Sequence, residues 1–127
     1  MIRAALPLAL AALPALAAPT GEVRLVSVVT GEPEPILAAT LDANRRAACL
    51  STPLSLALLS ETYRIADDAR PTPAALPCFD AARLSADLAE GRAVAFLSDP
   101  GPGPLRLVAV YPDGRAYAWQ QPHLTEK

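Results

Sequence analysis

One histidine, one lysine and two cysteines leave this 127-residue chain short of the side chains that most enzymes use for acid–base, nucleophilic or metal chemistry. A Ser–His–acid arrangement needs an imidazole held by its surroundings, and His123 follows Pro122 in a C-terminal tail that offers nothing to hold it. Zinc takes about four ligands of the right type, and a redox dithiol is usually C-x-x-C. Cys49 and Cys78 are too few for the first and too far apart for the second. The glycines of "SDPGPGPL" lack the Lys-Ser/Thr of a phosphate loop, and the prolines among them remove the N–H donors such loops use. Asp67-Asp68 lacks the alternating oxygen ligands and distal Glu of a calcium loop and reads as a turn. No metal and no cofactor is expected.

Basic charge is also scarce. Eleven Lys and Arg stand against thirteen Asp and Glu, a formal charge of −2, which argues against nucleic acid and anionic membranes as partners. Long hydrophobic runs are confined to the N-terminus, where "MIRAALPLALAALPALA" has Arg3 followed by an uncharged run of Ala, Leu and Pro. That run is shorter than the roughly 20 residues a membrane-spanning helix needs, and Pro7 and Pro14 interrupt it. Ala15 and Ala17 fit the A-x-A cleavage pattern, so residues 1–17 read as a secretory signal peptide. Residues 18–127 then form a single small α+β domain of formal charge −3, with Arg3 removed. No cysteine lies near the cleavage point to carry a lipid. The expectation is a soluble periplasmic or secreted protein with no membrane insertion after signal removal. Arg in place of Lys, together with abundant Ala and Pro, points to a GC-rich bacterial genome.

In an oxidising compartment two cysteines most often pair with each other. Cys78 also sits just before a helix N-terminus, where a thiol would be activated, but its compartment favours a staple to Cys49 over a working group.

Among the local signals, "EVRLVSVVT" (22–30) is rich in β-branched residues and reads as a strand ended by Gly31 and Pro33. "EPILAATLDANRRAACL" is ambiguous between a hairpin strand and a helix. The helix is favoured, with Glu32 and Glu34 at its positive end and Arg45 and Arg46 at its negative end. In "STPLSLALLSETYRI", Thr52 caps a second helix with Pro53 in its first turn, and Leu54, Leu58, Glu61 and Ile65 share a face. "ADDARPTPAALP" reads as a surface connection. The clearest helix runs from Asp80 to Glu90, capped by Asp80, stopped by Gly91 and striped by Ala81, Leu84 and Leu88. "RAVAFLS", "LRLVAVYP" and "RAYAWQQ" then form a three-stranded meander. The fold class expected is α+β: a small, largely antiparallel sheet with two to three helices and one disulfide.

Asp113-Gly114 predicts a two-residue turn that sets Val110 opposite Tyr117 and Val108 opposite Trp119. One face of the meander then carries Val94, Phe96, Val108, Val110, Tyr117 and Trp119, and the other is rich in alanine. The alanine-rich face is covered either by the 80–90 helix or by a partner docking around Tyr111, Leu107, Ala109 and Ala118. The Arg45-Arg46 pair has forked donors suited to a carboxylate or phosphate, although a solvated helix end explains it as well. These features favour a non-catalytic exported protein that binds another exported protein, as an accessory subunit or assembly factor. The alternatives are an inhibitor of a secreted hydrolase presenting the Asp99–Pro104 loop and a small enzyme.

Overall fold

The computed structural model describes residues 22–99 and 103–122; the signal peptide expected at 1–17, the centre of the Asp99–Pro104 loop and His123 lie outside the described residues. In chain order the elements are β1 (Arg24–Val26), β2 (Pro33–Pro35), β3 (Ala39–Ala43), β4 (Ala47–Ser51), α1 (Leu56–Thr62), α2 (Ala81–Ala89), β5 (Val94–Asp99), β6 (Leu105–Val110) and β7 (Arg115–Gln121). β3 to β7 make a five-stranded antiparallel sheet in the order β3-β4-β7-β6-β5, and β1 and β2 make a separate antiparallel pair. The fold is mostly β, with the C-terminal meander as expected and two helices among the described residues.

The ambiguous segment is extended. Residues 39–51 form the β3–β4 hairpin instead of the favoured helix, and Asn44 closes its turn. The Asn44 side-chain oxygen accepts from the N–H of Arg46 (2.8 Å) and of Ala47 (3.0 Å), while its own N–H donates to the Ala47 carbonyl (2.9 Å). Asparagine favours such side-chain-closed turns, and β4 gains a ladder on each side, with β3 and with β7. Two ladders outweigh the helix preference of its alanines. Arg45 and Arg46 are therefore turn residues and complement no helix dipole.

Two other local readings shift. The first strand stops at Val26 because Ser27 folds the chain over, its hydroxyl accepting from the N–H of Val29 (3.0 Å) and Thr30 (3.2 Å). α1 is capped by Ser55, whose side chain accepts from the Leu58 N–H, three residues later than predicted. Thr52 is engaged elsewhere, donating its hydroxyl to the Leu37 carbonyl at 2.7 Å. Within the helix Leu59 is buried while Leu58 and Glu61 are exposed, and Ile65 lies beyond its end, also exposed. α2 is as predicted, with the Asp80 carboxylate accepting from the Arg83 N–H at 3.0 Å and Gly91 at φ 77° past its end.

The 111–115 hairpin carries the largest correction. The Tyr111 N–H donates to the Arg115 carbonyl (2.8 Å) and the Gly114 N–H to the Tyr111 carbonyl (3.0 Å), so the turn has three residues, Pro112 to Gly114. Gly114, at φ 93°, supplies the left-handed residue such a loop needs. One extra turn residue slides β7 by one position, pairing Val110 with Ala116 and Ala109 with Tyr117. Every β7 side chain thus lies on the face opposite to the one predicted.

Both faces of the sheet are apolar. The first carries Cys49, Ala95, Leu107, Ala109, Tyr111 and Trp119 and is covered by Leu84 of α2 and by Leu76 and Phe79. The second carries Leu50, Phe96, Val108, Val110 and Ala116 and is covered in part by Leu25 of β1 and Leu59 of α1. Segment 66–77, expected as a surface connection, continues through Cys78 and Phe79 as a strap laid on the first face. Gln121, fully buried, holds it: its side chain accepts from the Arg70 N–H (2.7 Å) and the Trp119 indole (2.9 Å) and donates to the Asp68 carbonyl (3.0 Å). The outer edge of β5 is closed by the chain at 64–66, the Ala66 N–H donating to the Ala95 carbonyl (2.8 Å) and the Leu97 N–H to the Arg64 carbonyl (3.0 Å). The outer edge of β3 pairs with no described strand.

Candidate functional site

The expected staple is present. Cys49 in β4 and Cys78 in the strap form a disulfide with an S–S distance of 2.08 Å and a Cα–Cα distance of 6.4 Å. Cys49 is buried and Cys78 is exposed, so the bond pins the C-terminal end of the strap to β4, between β3 and the central strand β7.

The four residues proposed for docking are not one surface. Leu107, Ala109 and Tyr111 are buried on the first face beneath α2 and the strap, so the protein's own helix occupies the place offered to a partner. Ala118 lies on the opposite face, moved there by the β7 register.

Tyr111 has a structural partner instead. Its hydroxyl donates to Asp87 Oδ2 at 2.5 Å, and Arg92 donates to Asp87 Oδ1 at 3.0 Å. The Tyr111 hydrogen bond, then the Arg92 hydrogen bond and the charges of Arg83 and Arg92, hold the Asp87 carboxyl below its ordinary range despite opposing desolvation. Burial, and then Asp87, pushes the Tyr111 phenol above its ordinary range. The Arg115 guanidinium lies 4.3 Å from the Tyr111 ring centre, and Arg115 is itself paired with Asp113 at 2.9 Å. The two groups best suited to acid–base work are thus bonded to each other and lock α2 onto the sheet.

The second face offers a different site. β1 and α1 cover only part of it, and the remainder is a groove of about 240 Å³ at the end of the sheet that carries the β3–β4 turn. Its floor follows from the register. Ala43 pairs with Ala48, Ala48 with Ala118, and Ala118 with Val108, so three alanines and a valine form one row across four strands. Small side chains in that row leave the space that larger ones fill further along the sheet, where Leu50 and Val110 lie. Glu22 to Arg24 and Ser98 form one wall, held together by the Ser98 hydroxyl donating to the Arg24 carbonyl. Thr40 lines the β3 side.

Arginines form the rim. Arg24, Arg45, Arg46 and Arg106 all line the groove, with Glu22 the one acidic residue among the described lining residues. Arg24 is paired with Glu22 at 2.8 Å. Arg45, Arg46 and Arg106 are exposed and form no ion pair among the described residues. Sequence reasoning had the Arg45-Arg46 pair but not Arg106 or the alanine row. Only the strand register brings these together. Among the described residues no group of three or more His, Cys, Asp or Glu is arranged to hold a metal ion, and no helix is long and apolar enough to cross a membrane.

Residues 23–126 match the model of DUF6446, a family of unknown function. No curated protein and no solved structure matches the chain.

Proposed function

We propose that this chain, which belongs to the DUF6446 family, is a non-catalytic exported protein that binds another exported macromolecule through the arginine-rimmed groove. The leader-like N-terminus and the Cys49–Cys78 disulfide support export, since such bonds persist in oxidising compartments. The observation that carries the binding reading is the groove itself, a concave apolar floor left open in a domain that otherwise covers both faces of its sheet. Arg45, Arg46 and Arg106 also line a cleft of about 1310 Å³ beside it, so the groove of about 240 Å³ opens onto a broader surface, which favours an anchor for a macromolecule over an enclosed substrate pocket. Partner-binding interfaces concentrate their energy in such small pockets filled by one or two side chains. The Asp87–Tyr111 pair, engaged in holding α2, favours binding over catalysis in the same direction.

The reading is tested by isolating the tagged protein from its native envelope fraction beside the variant Ala118→Leu, which fills the floor. A stoichiometric exported partner that the wild type retains and the equally stable variant loses is the expected result. Retention of the partner by the variant, or no partner at all, overturns it.

A further inference from the structure

The groove's charge and shape specify what enters it. The whole chain carries a formal charge of −2, yet Arg45, Arg46 and Arg106 converge on this one end without a carboxylate partner among the described residues. Guanidiniums that line one groove without counter-charges are best met by a group that accepts their forked N–H donors, a carboxylate above all. The floor beneath them is a row of short apolar side chains, which suits small apolar groups. Its row from Ala43 to Val108 crosses three interstrand spacings of about 4.8 Å each, roughly 14 Å, which an extended chain covers in about four residues.

We infer that the groove receives an extended acidic segment of the partner polypeptide, about four or five residues long, with carboxylates on Arg46 and Arg106 and small apolar side chains on the alanine row. This rests on the binding reading above and specifies its partner. Alternation places carboxylate and methyl-sized side chains on opposite sides of an extended segment, so the carboxylates reach the raised rim while the small groups meet the floor. An anionic membrane fits less well, because a concave site cannot meet a flat surface and the acidic remainder of the molecule is repelled by it.

The probe is the blocked peptide Glu-Ala-Glu-Ala-Glu, titrated into the ¹⁵N-labelled exported chain, with Lys-Ala-Lys-Ala-Lys as the charge-reversed control. Weak, saturable shift changes are expected at the Ala43, Ala48 and Ala118 amides with the acidic peptide and none with the basic one. Joint Arg46→Glu and Arg106→Glu substitution should weaken binding by about tenfold or more, and Ala118→Leu should weaken it comparably through shape alone. No saturation, shifts centred elsewhere, or full binding by Ala118→Leu overturns the inference. So do the same shifts produced by phosphatidylglycerol vesicles, which would make the occupant a lipid surface, or by raising the protein concentration alone, which would make it a second copy. If the peptide fails while Ala118→Leu still loses the native partner, the acidic occupant is refuted and the binding reading stands.

Discussion

Removing the disulfide is the perturbation whose cost the structure fixes most directly. Cys49 and Cys78 lie 29 positions apart, and the chain-entropy relation gives about 3.6 kcal/mol for closing a loop of that size. Small domains have only about 5 to 15 kcal/mol in total, so a quarter or more of the stability is at stake. For a domain of about 100 residues the same loss lowers Tm by about 15 °C. The strap would not simply detach, because Gln121 still bonds to the chain at Asp68 and Arg70, and Thr72 still donates to the Gln120 carbonyl at 2.9 Å. The double variant Cys49→Ala, Cys78→Ala should therefore remain folded, and circular dichroism during urea and thermal unfolding measures the difference. Thiol titration of the unfolded, unreduced wild type should find no free thiol. Two equivalents of thiol, or a loss below about 1 kcal/mol, would refute the argument that the loop constraint holds the domain together.

Gly114→Ala should cost more than about 2 kcal/mol, because an added Cβ would sit 2.5 Å from the Thr52 carbonyl oxygen on a backbone at φ +93°; chemical denaturation reads it. The Asp87–Tyr111 pair sets two limits in pH. Asp87, held below its ordinary 3.8, contributes stability above that value that is lost as pH falls through its lowered range. Tyr111, raised above its ordinary 10.0, contributes stability below that value that is lost as pH rises beyond it. Tyr111→Phe should flatten the alkaline limb of a Tm–pH profile and shrink the acid limb, and an unchanged profile would contradict the assignment. Intact-mass measurement of the exported protein should give a chain beginning at Ala18, and a mass retaining residues 1–17 would refute the export argument.

How much of this was legible in the sequence depended on whether a signal was local or relational. The α2 boundaries follow from Asp80 and Gly91, single residues with one strong backbone preference each, and the sequence reading had them. The disulfide followed from compartment and count. The β3–β4 hairpin was one of two readings and the helix was favoured over it, because alanine-rich strands carry weak β preference and their pairing is decided by β7, some 70 residues away. The face of Trp119 hinged on whether the Asp113-Gly114 turn has two residues or three, a choice worth little energy locally and one that inverts a whole strand. For the candidate site, Arg45 and Arg46 were visible as a pair and Ala118 as a small apolar position. Their meeting with Arg106, Ala43 and Ala48 exists only once the register is known.

The claim that the open groove is the binding surface is tested most directly by photo-crosslinking in the cell of origin. A photoreactive residue placed at Thr40, which lines the groove, is compared with one at Ser85, on the exposed side of α2. The account predicts one discrete adduct with an exported polypeptide from position 40 and none from position 85. Adducts from both positions alike, or from position 85 only, would contradict it.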